Sequence, residues 1–175
     1  MDIRPAVMSD IEQCQRLDSS FSTEYVWQMA EANGPGELGT AFRRIRIPRR
    51  TEVAYPRGTE GLLDDWKRDE CFLVADELGR VFGYLDMTVW RWQWQGWIGH
   101  MVIDRRHRRR GVASRLLTVA EDWARKNQLR AIVMTLQTKN DPAISLFSER
   151  GYSYCGFVDR YFNNGDVALF FRLNL

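Results

Sequence analysis

The stretch from Trp97 to Trp123 constrains the fold more than any other part of the chain. A β-rich run, Trp97–Asp104, leads into Arg105-Arg106-His107-Arg108-Arg109-Arg110, and Gly111-Val112-Ala113 then opens a helical pattern. Val112, Leu116, Val119, Ala120 and Trp123 recur at helical spacing as far as Lys126, so one face of that helix is apolar and needs a sheet or a helix to lie on. Strand, basic loop and helix in that order predict a layered α/β arrangement. The first turn of a helix leaves backbone N–H groups unpaired, and its dipole favours an anion there. Gly111 and the small Ala113 let a phosphate approach the backbone, and the arginines can add charge-assisted hydrogen bonds. The spacing of a P-loop is absent, and so is the Gly-x-Gly-x-x-Gly of a dinucleotide fold.

The flanking segments read as one α/β domain over 1–175. Ile3–Ala6 reads as a first strand. Ser9-Asp10 reads as a helix N-cap, with Glu12 in the first turn and Ile11, Cys14 and Leu17 on one face. Glu24–Ala32 reads as a second short helix, ended by Asn33-Gly34-Pro35-Gly36. Phe42–Pro48 alternates as a strand, and Arg49–Asp69 reads as a loop with at most one helical turn. Cys71–Asp76, Val81–Arg91 and Trp97–Asp104 form an antiparallel meander by their short turns, Glu77–Arg80 and Gln93–Gly96. Ala131–Leu136 is a buried strand. Asp141-Pro142 opens a helix that Gly151 stops, with Ile144 and Phe147 inward. Tyr152–Arg160 and Val167–Leu173 are the last strands.

Composition narrows the classes. Net charge is only +2, so the chain as a whole is not an electrostatic nucleic-acid binder. The arginine run could still engage nucleic-acid phosphate, with tryptophans stacking on bases; that reading predicts steep salt dependence. No apolar run approaches the roughly 20 residues of a membrane span, and the start lacks a signal-peptide pattern, so the expected location is cytoplasmic. Cys14, Cys71 and Cys155 are odd in number and far apart, which suggests neither disulfides nor a metal site.

Two motifs give the chain a family resemblance. Arg108-Arg109-Arg110-Gly111-Val112-Ala113 resembles the Gln/Arg-x-x-Gly-x-Gly/Ala pattern of the Gcn5-related (GNAT) N-acetyltransferases. Asn140-Asp141-Pro142-Ala143-Ile144-Ser145-Leu146-Phe147-Ser148-Glu149-Arg150-Gly151-Tyr152 resembles their Asn-x-x-Ala-x-x-Leu-Tyr-x-x-x-Gly-Phe. Ile3-Arg4-Pro5-Ala6 is similar to their usual first strand. The resemblance implies a mixed, mostly antiparallel sheet flanked by helices, with a splayed strand pair that takes acetyl-CoA. It implies that Arg108, Arg109, Arg110, Gly111, Val112, Ala113 and Ser114 hold the pyrophosphate. Met101, Val102 and Ile103 would pair with the pantetheine arm, and Asn140 would meet the cofactor or cap the next helix. The implied reaction moves acetyl from acetyl-CoA to a primary amine, with no metal. The implied partners are a small-molecule or peptide amine, no nucleic acid and no membrane, and a homodimer is compatible with the family.

The catalytic groups depart from the pattern. Phe147 stands at the usual tyrosine, and Thr135 and Gly99 stand at usual glutamates. His100 is the remaining candidate base, beside the carbonyl-binding segment and with an ordinary pKa near neutrality. His107 reads as loop packing. Tyr152, Tyr154 and Tyr161 are candidate proton donors, and Asp86 and Asp159 are acids that could steer a cation. Direct attack with water relaying protons is the alternative. Trp90, Trp92 and Trp94 would share one strand face, packed on the Trp66 loop, a second subunit or a substrate. Leu136-Gln137-Thr138-Lys139-Asn140 and Gly165-Asp166-Val167-Ala168-Leu169-Phe170-Phe171 look similar to streptothricin-type antibiotic acetyltransferases. That suggests a small cationic acceptor. A protein or peptide acetyltransferase and a non-catalytic acetyl-CoA sensor are the alternatives.

Overall fold

The computed structural model describes residues 1–32 and 39–175. Its strands and helices are β1 (Asp2–Pro5), α1 (Met8–Gln15), β2 (Phe21–Ala32), β3 (Gly39–Val53), α2 (Leu62–Lys67), β4 (Cys71–Glu77), β5 (Arg80–Trp90), β6 (Gln95–Ile103), α3 (Val112–Lys126), β7 (Ala131–Gln137), α4 (Asp141–Glu149), β8 (Ser153–Val158) and β9 (Ala168–Asn174). Seven strands form one sheet in the order β1-β4-β5-β6-β7-β9-β8. Among the described residues, only β6 and β7 run parallel, since α3 crosses over between them, and every other pair is antiparallel. This is the expected mixed sheet.

Each face of the sheet buries its own core. On one face lie α3 and α4. Val112, Leu116, Leu117, Ala120 and Ala124 form the stripe read from the sequence, and they meet Leu85, Ile98, Ile132 and Met134. Burying Leu116 and Leu117 contributes roughly 1.5–3 kcal/mol apiece. On the other face, Ile11 and Cys14 of α1 and Leu62 of α2 cover Phe72, Val74, Tyr84 and Val102.

The start of α1 differs from expectation. Val7 is the N-cap, and Asp10 sits inside the first turn, where its carboxylate accepts the Val7 N–H at 2.8 Å. Arg4 draws Asp10 inward with two bonds at 2.6 and 3.1 Å, so the carboxylate is buried rather than capping from outside. The helix ends at Gln15, and Leu17 packs beside it from the following turn.

The segment read as a helix, Glu24–Ala32, is strand. Met29-Ala30-Glu31-Ala32 has good local helix propensity, but β2 pairs along its length with β3, and tertiary pairing overrides propensity. The proposed stop at Asn33–Gly36 lies outside the described residues. β3 is also longer than Phe42–Pro48. Pro48, which has no N–H for a ladder, falls in the unpaired stretch between Arg46 and Thr51. The 49–69 region thus contributes strand at its start and α2 near its end.

The β2–β3 ribbon is tied to the end of the main sheet. Trp27 donates its backbone N–H to the Thr138 carbonyl at 2.9 Å and its indole N–H to Asp141 at 3.1 Å. Arg44 forks onto both Asp141 oxygens at 2.7 and 2.9 Å and covers the Tyr25 ring at 3.6 Å. Phe42 packs edge-on against Tyr154 and Phe157.

Candidate active site

The parallel pair β6–β7 positions the site. Its register runs from Gln95 with Ala131 to Ile98 with Met134 and stops there. From His100 to Ile103, β6 stays paired with β5, but among the described residues its pairing with β7 does not continue past Ile98. The cause is a bulge: Asp86 pairs with His100 and Met87 with Ile98, so Gly99 is an extra residue. The expected splay of the strand pair is therefore present.

Beyond the splay lies a cavity of about 590 Å³. Met101, Val102, Ile103, Arg108, Arg109, Gly111, Val112, Ala113, Ser114 and Asn140 all line it, together with His107, read as loop packing, and with Tyr55, Arg50 and others that the sequence did not single out. Gly111 adopts φ 78°, which favours glycine, and a Cβ there would meet no atom within 4 Å. Arg109 is left-handed too, at φ 60°. The loop thus curls its backbone over the start of α3 and keeps open space above Gly111. Val112 itself is buried, so what it can offer the cavity is its backbone. Asn140 lines the cavity and caps α4, accepting the Ala143 N–H at 3.2 Å. An anionic, phosphate-bearing ligand fits this set.

Other candidates stand elsewhere. Arg108 reaches the cavity, but its guanidinium binds the carbonyls of Ile103, Ser20 and Asp18 at 2.8, 2.6 and 2.8 Å. Those acceptors hold it as a staple between β6 and the α1–β2 loop. Arg110 is exposed and outside the lining. His107 is loop packing as read: it stacks on Phe82 and meets Asp104 at 3.0 Å. The three tryptophans do not share a strand face, since β5 ends at Trp90 and the chain turns through Arg91–Trp94. Trp90 stacks on Trp97, while Trp66 bonds Ala6 on the α1 side of the molecule.

His100 does not line the cavity. It is buried against Tyr55 and Tyr84, with Nδ1 lacking a protein partner among the described residues. Burial, helped by the nearby Arg57 cation, pushes its pKa down to about 4, so the imidazole is neutral at pH 7. Asp86 beside it is shifted the other way, up to about 7, by burial above all and then by Asp65. Ligand-capable atoms of Asp65, Asp86 and His100 lie within 4.8 Å of one another. Tyr152 is unsuited to proton donation into the cavity. It is buried, it donates to Glu121 at 3.3 Å, and burial next to that carboxylate pushes its pKa well up. Phe147 is fully buried core.

Two loop residues escaped the sequence reading. Arg57 spans the splay, donating to the Gly99 carbonyl at 2.9 Å and the Thr135 hydroxyl at 2.8 Å. Tyr55 lines the cavity with its hydroxyl toward the Met101 N–H, and burial raises its pKa to about 12. Neither is near the motifs in sequence, and neither stands in a pattern that would have marked it.

The model of the acetyltransferase (GNAT) family matches residues 40–152. The chain belongs to the GNAT acetyltransferase family. As a GNAT enzyme it is an acetyl-CoA-dependent N-acetyltransferase. It is 22% identical over 181 residues to a streptothricin acetyltransferase of Streptomyces lavendulae, across 98% of this chain and 94% of that protein. A streptothricin acetyltransferase of Escherichia coli is 39% identical over 59 residues, 34% of each chain. Among solved structures, a nourseothricin acetyltransferase superposes with TM-score 0.84 at 21% identity, covering 99% of this chain and 97% of that one. A Bacillus anthracis protein described as a streptothricin acetyltransferase, solved with acetyl coenzyme A, gives 0.77 at 17% identity, over 99% and 98%. Acetyl-CoA is thus the cosubstrate bound in a structure of this fold. The two stretches read as streptothricin-like meet in space: Asp166 accepts from Gln137 at 2.7 Å and from Lys139 at 2.6 Å. Among the described residues, no helix is long and apolar enough to cross a membrane.

Proposed function

We propose that this GNAT domain, residues 1–175, acetylates a primary amine of a small polycationic molecule of the streptothricin class. The observation that carries the reading is the near full-length relation to the Streptomyces lavendulae enzyme, at 98% of this chain and 94% of that one. The two acids Asp65 and Asp86 beside the splay support a cationic acceptor.

The site divides the work. The open backbone of Gly111 to Ser114 and the Arg109 side chain hold the pyrophosphate. The β7-facing backbone of Met101 to Ile103 holds the pantetheine arm, as a strand would. Bound there, acetyl-CoA supplies an activated acetyl group. Arg57 keeps β6 and β7 at a fixed separation through Gly99 and Thr135. His100, buried and neutral at pH 7 with a pKa of about 4, holds little of a transferred proton.

Calorimetric titration with acetyl-CoA tests the cofactor half, with Gly111→Glu as the comparison. The substitution puts a carboxylate and a strained side chain at the cradle, and affinity should fall by at least about 100-fold. Thiol release with streptothricin, against lysine-bearing peptides, tests the acceptor half. Equal affinity in the variant refutes the cradle. Turnover with peptides alone refutes the small cationic acceptor.

A further inference from the structure

A carboxylate from β5 occupies the space that a side chain on Gly99 of β6 would need. At the bulge, β6 turns Gly99 and His100 toward the same face, the one that carries Tyr84. A Cβ built on Gly99 would lie 2.3 Å from Asp86 Oδ2 and 3.3 Å from its Cγ. Gly99 is also the first β6 residue past the last β7 pair, so the Asp86 carboxylate stands at the root of the splay. Asp86 is 3% exposed, and its Oδ1 has no protein partner among the described residues. Leaving such an oxygen unsatisfied is costly, and such groups concentrate at functional sites.

We propose that Asp86 is the catalytic base of the acetyl transfer, the carboxylate that takes a proton from the acceptor nitrogen. The assignment rests on the acetyltransferase reading above. An ammonium acceptor loses two protons as its nitrogen bonds the acetyl carbon and the carbon–sulfur bond breaks. One proton leaves with sulfur as the thiol, and Asp86 takes the other and later passes it to solvent.

The surroundings agree with that task. Burial above all, and then Asp65 on α2, raises the proton affinity of Asp86, while Arg57, the His100 backbone N–H and Arg68 lower it; the balance is about 7. Tyr55, Tyr84, Cys14 and Cys71 also feel its charge, and their own burial keeps them neutral near pH 7. A base is most effective when its pKa lies near the working pH. The alternatives are weaker: His100 is held near 4, and Phe147, Thr135 and Gly99 carry no titratable group.

The test compares the native chain with Asp86→Asn, Asp86→Ala and the double variant Asp86→Ala/Gly99→Glu. Acetyl-CoA affinity is read by calorimetry, and turnover is read with streptothricin as acceptor. Asp86→Asn should lower kcat by about 100-fold or more with acetyl-CoA affinity unchanged, and the rise in rate through neutral pH should vanish. In the double variant the glutamate enters the volume that Asp86 vacated, and kcat should recover by roughly 10-fold or more over Asp86→Ala. Infrared difference spectra without acetyl-CoA should show a protonated-carboxyl band that fades as pH rises through neutrality and is missing from Asp86→Asn. An unchanged kcat in Asp86→Asn, or no such band, overturns the assignment and leaves the transferase reading intact. A native chain that binds acetyl-CoA and acetylates no amine overturns both.

Discussion

Removing the Asp86 charge should change how stability depends on pH, whatever the acceptor. The folded carboxyl is raised from 3.8 to about 7. The sign follows from proton counting. Between those values the folded chain holds a proton on Asp86 that the unfolded chain has released, so native stability falls as pH rises through the window and levels off above it. Asparagine matches the protonated acid in shape and does not titrate. From about pH 5 to above pH 8, roughly two of the three units remain to be crossed, which is roughly 3 kcal/mol at most, since local relaxation shares the cost. For a chain of this size that corresponds to about 5–10 °C in Tm. Thermal unfolding by circular dichroism, native against Asp86→Asn, reads the difference directly, because all other groups titrate in both. The gap in Tm should move in favour of the variant by that amount between about pH 5 and pH 8.5. A gap that stays constant across the range would mean that Asp86 ionises as freely in the fold as outside it.

Two further outcomes follow from the loops around the cavity. Arg108→Ala strands three backbone carbonyls and frees the basic loop from Asp18 and Ser20; it should cost roughly 2 kcal/mol in denaturant unfolding and weaken acetyl-CoA binding through loop order rather than lost charge. Asp141, whose carboxyl the Arg44 fork holds below its ordinary value, contributes stability that is present above about pH 4 and lost as pH falls through the lowered pKa. Asp141→Asn should flatten that acid limb and speed amide exchange in β2 and β3 first, as hydrogen-exchange mass spectrometry would read.

The legible parts of the chain are those whose cause is local. Val112, Leu116 and Ala120 repeat at helical spacing, and α3 is where they put it. Asn140 and Pro142 mark the start of α4 by cap chemistry alone. The meander β4–β6 follows from short turns. The ribbon was opaque because Met29 and Ala30 favour helix in isolation, and their strand partners Phe42 and Ala41 lie across the 33–38 segment. The bonds that hold Arg108 were hidden because two of its three acceptors come from Asp18 and Ser20, 90 and 88 residues away. Arg57 reaches Gly99 across 42 residues and Thr135 across 78, with no motif at either end. The Asp86–Gly99 relation is invisible for a further reason: it needs the register of two strands and the bulge between them.

That bulge makes positions 86 and 99 share one volume. An acidic side chain delivered from 99 and Asp86 would collide, as the 2.3 Å approach to a bare Cβ already indicates. Substitution history at such a site is therefore coupled. A lineage moving the charge from one strand to the other must empty one position before, or together with, filling the other, and passes through an uncharged stage or a crowded one. Scored on β6 alone, this chain shows only a glycine at position 99. A survey that scores the two positions as one unit would find a carboxylate at the root of the splay.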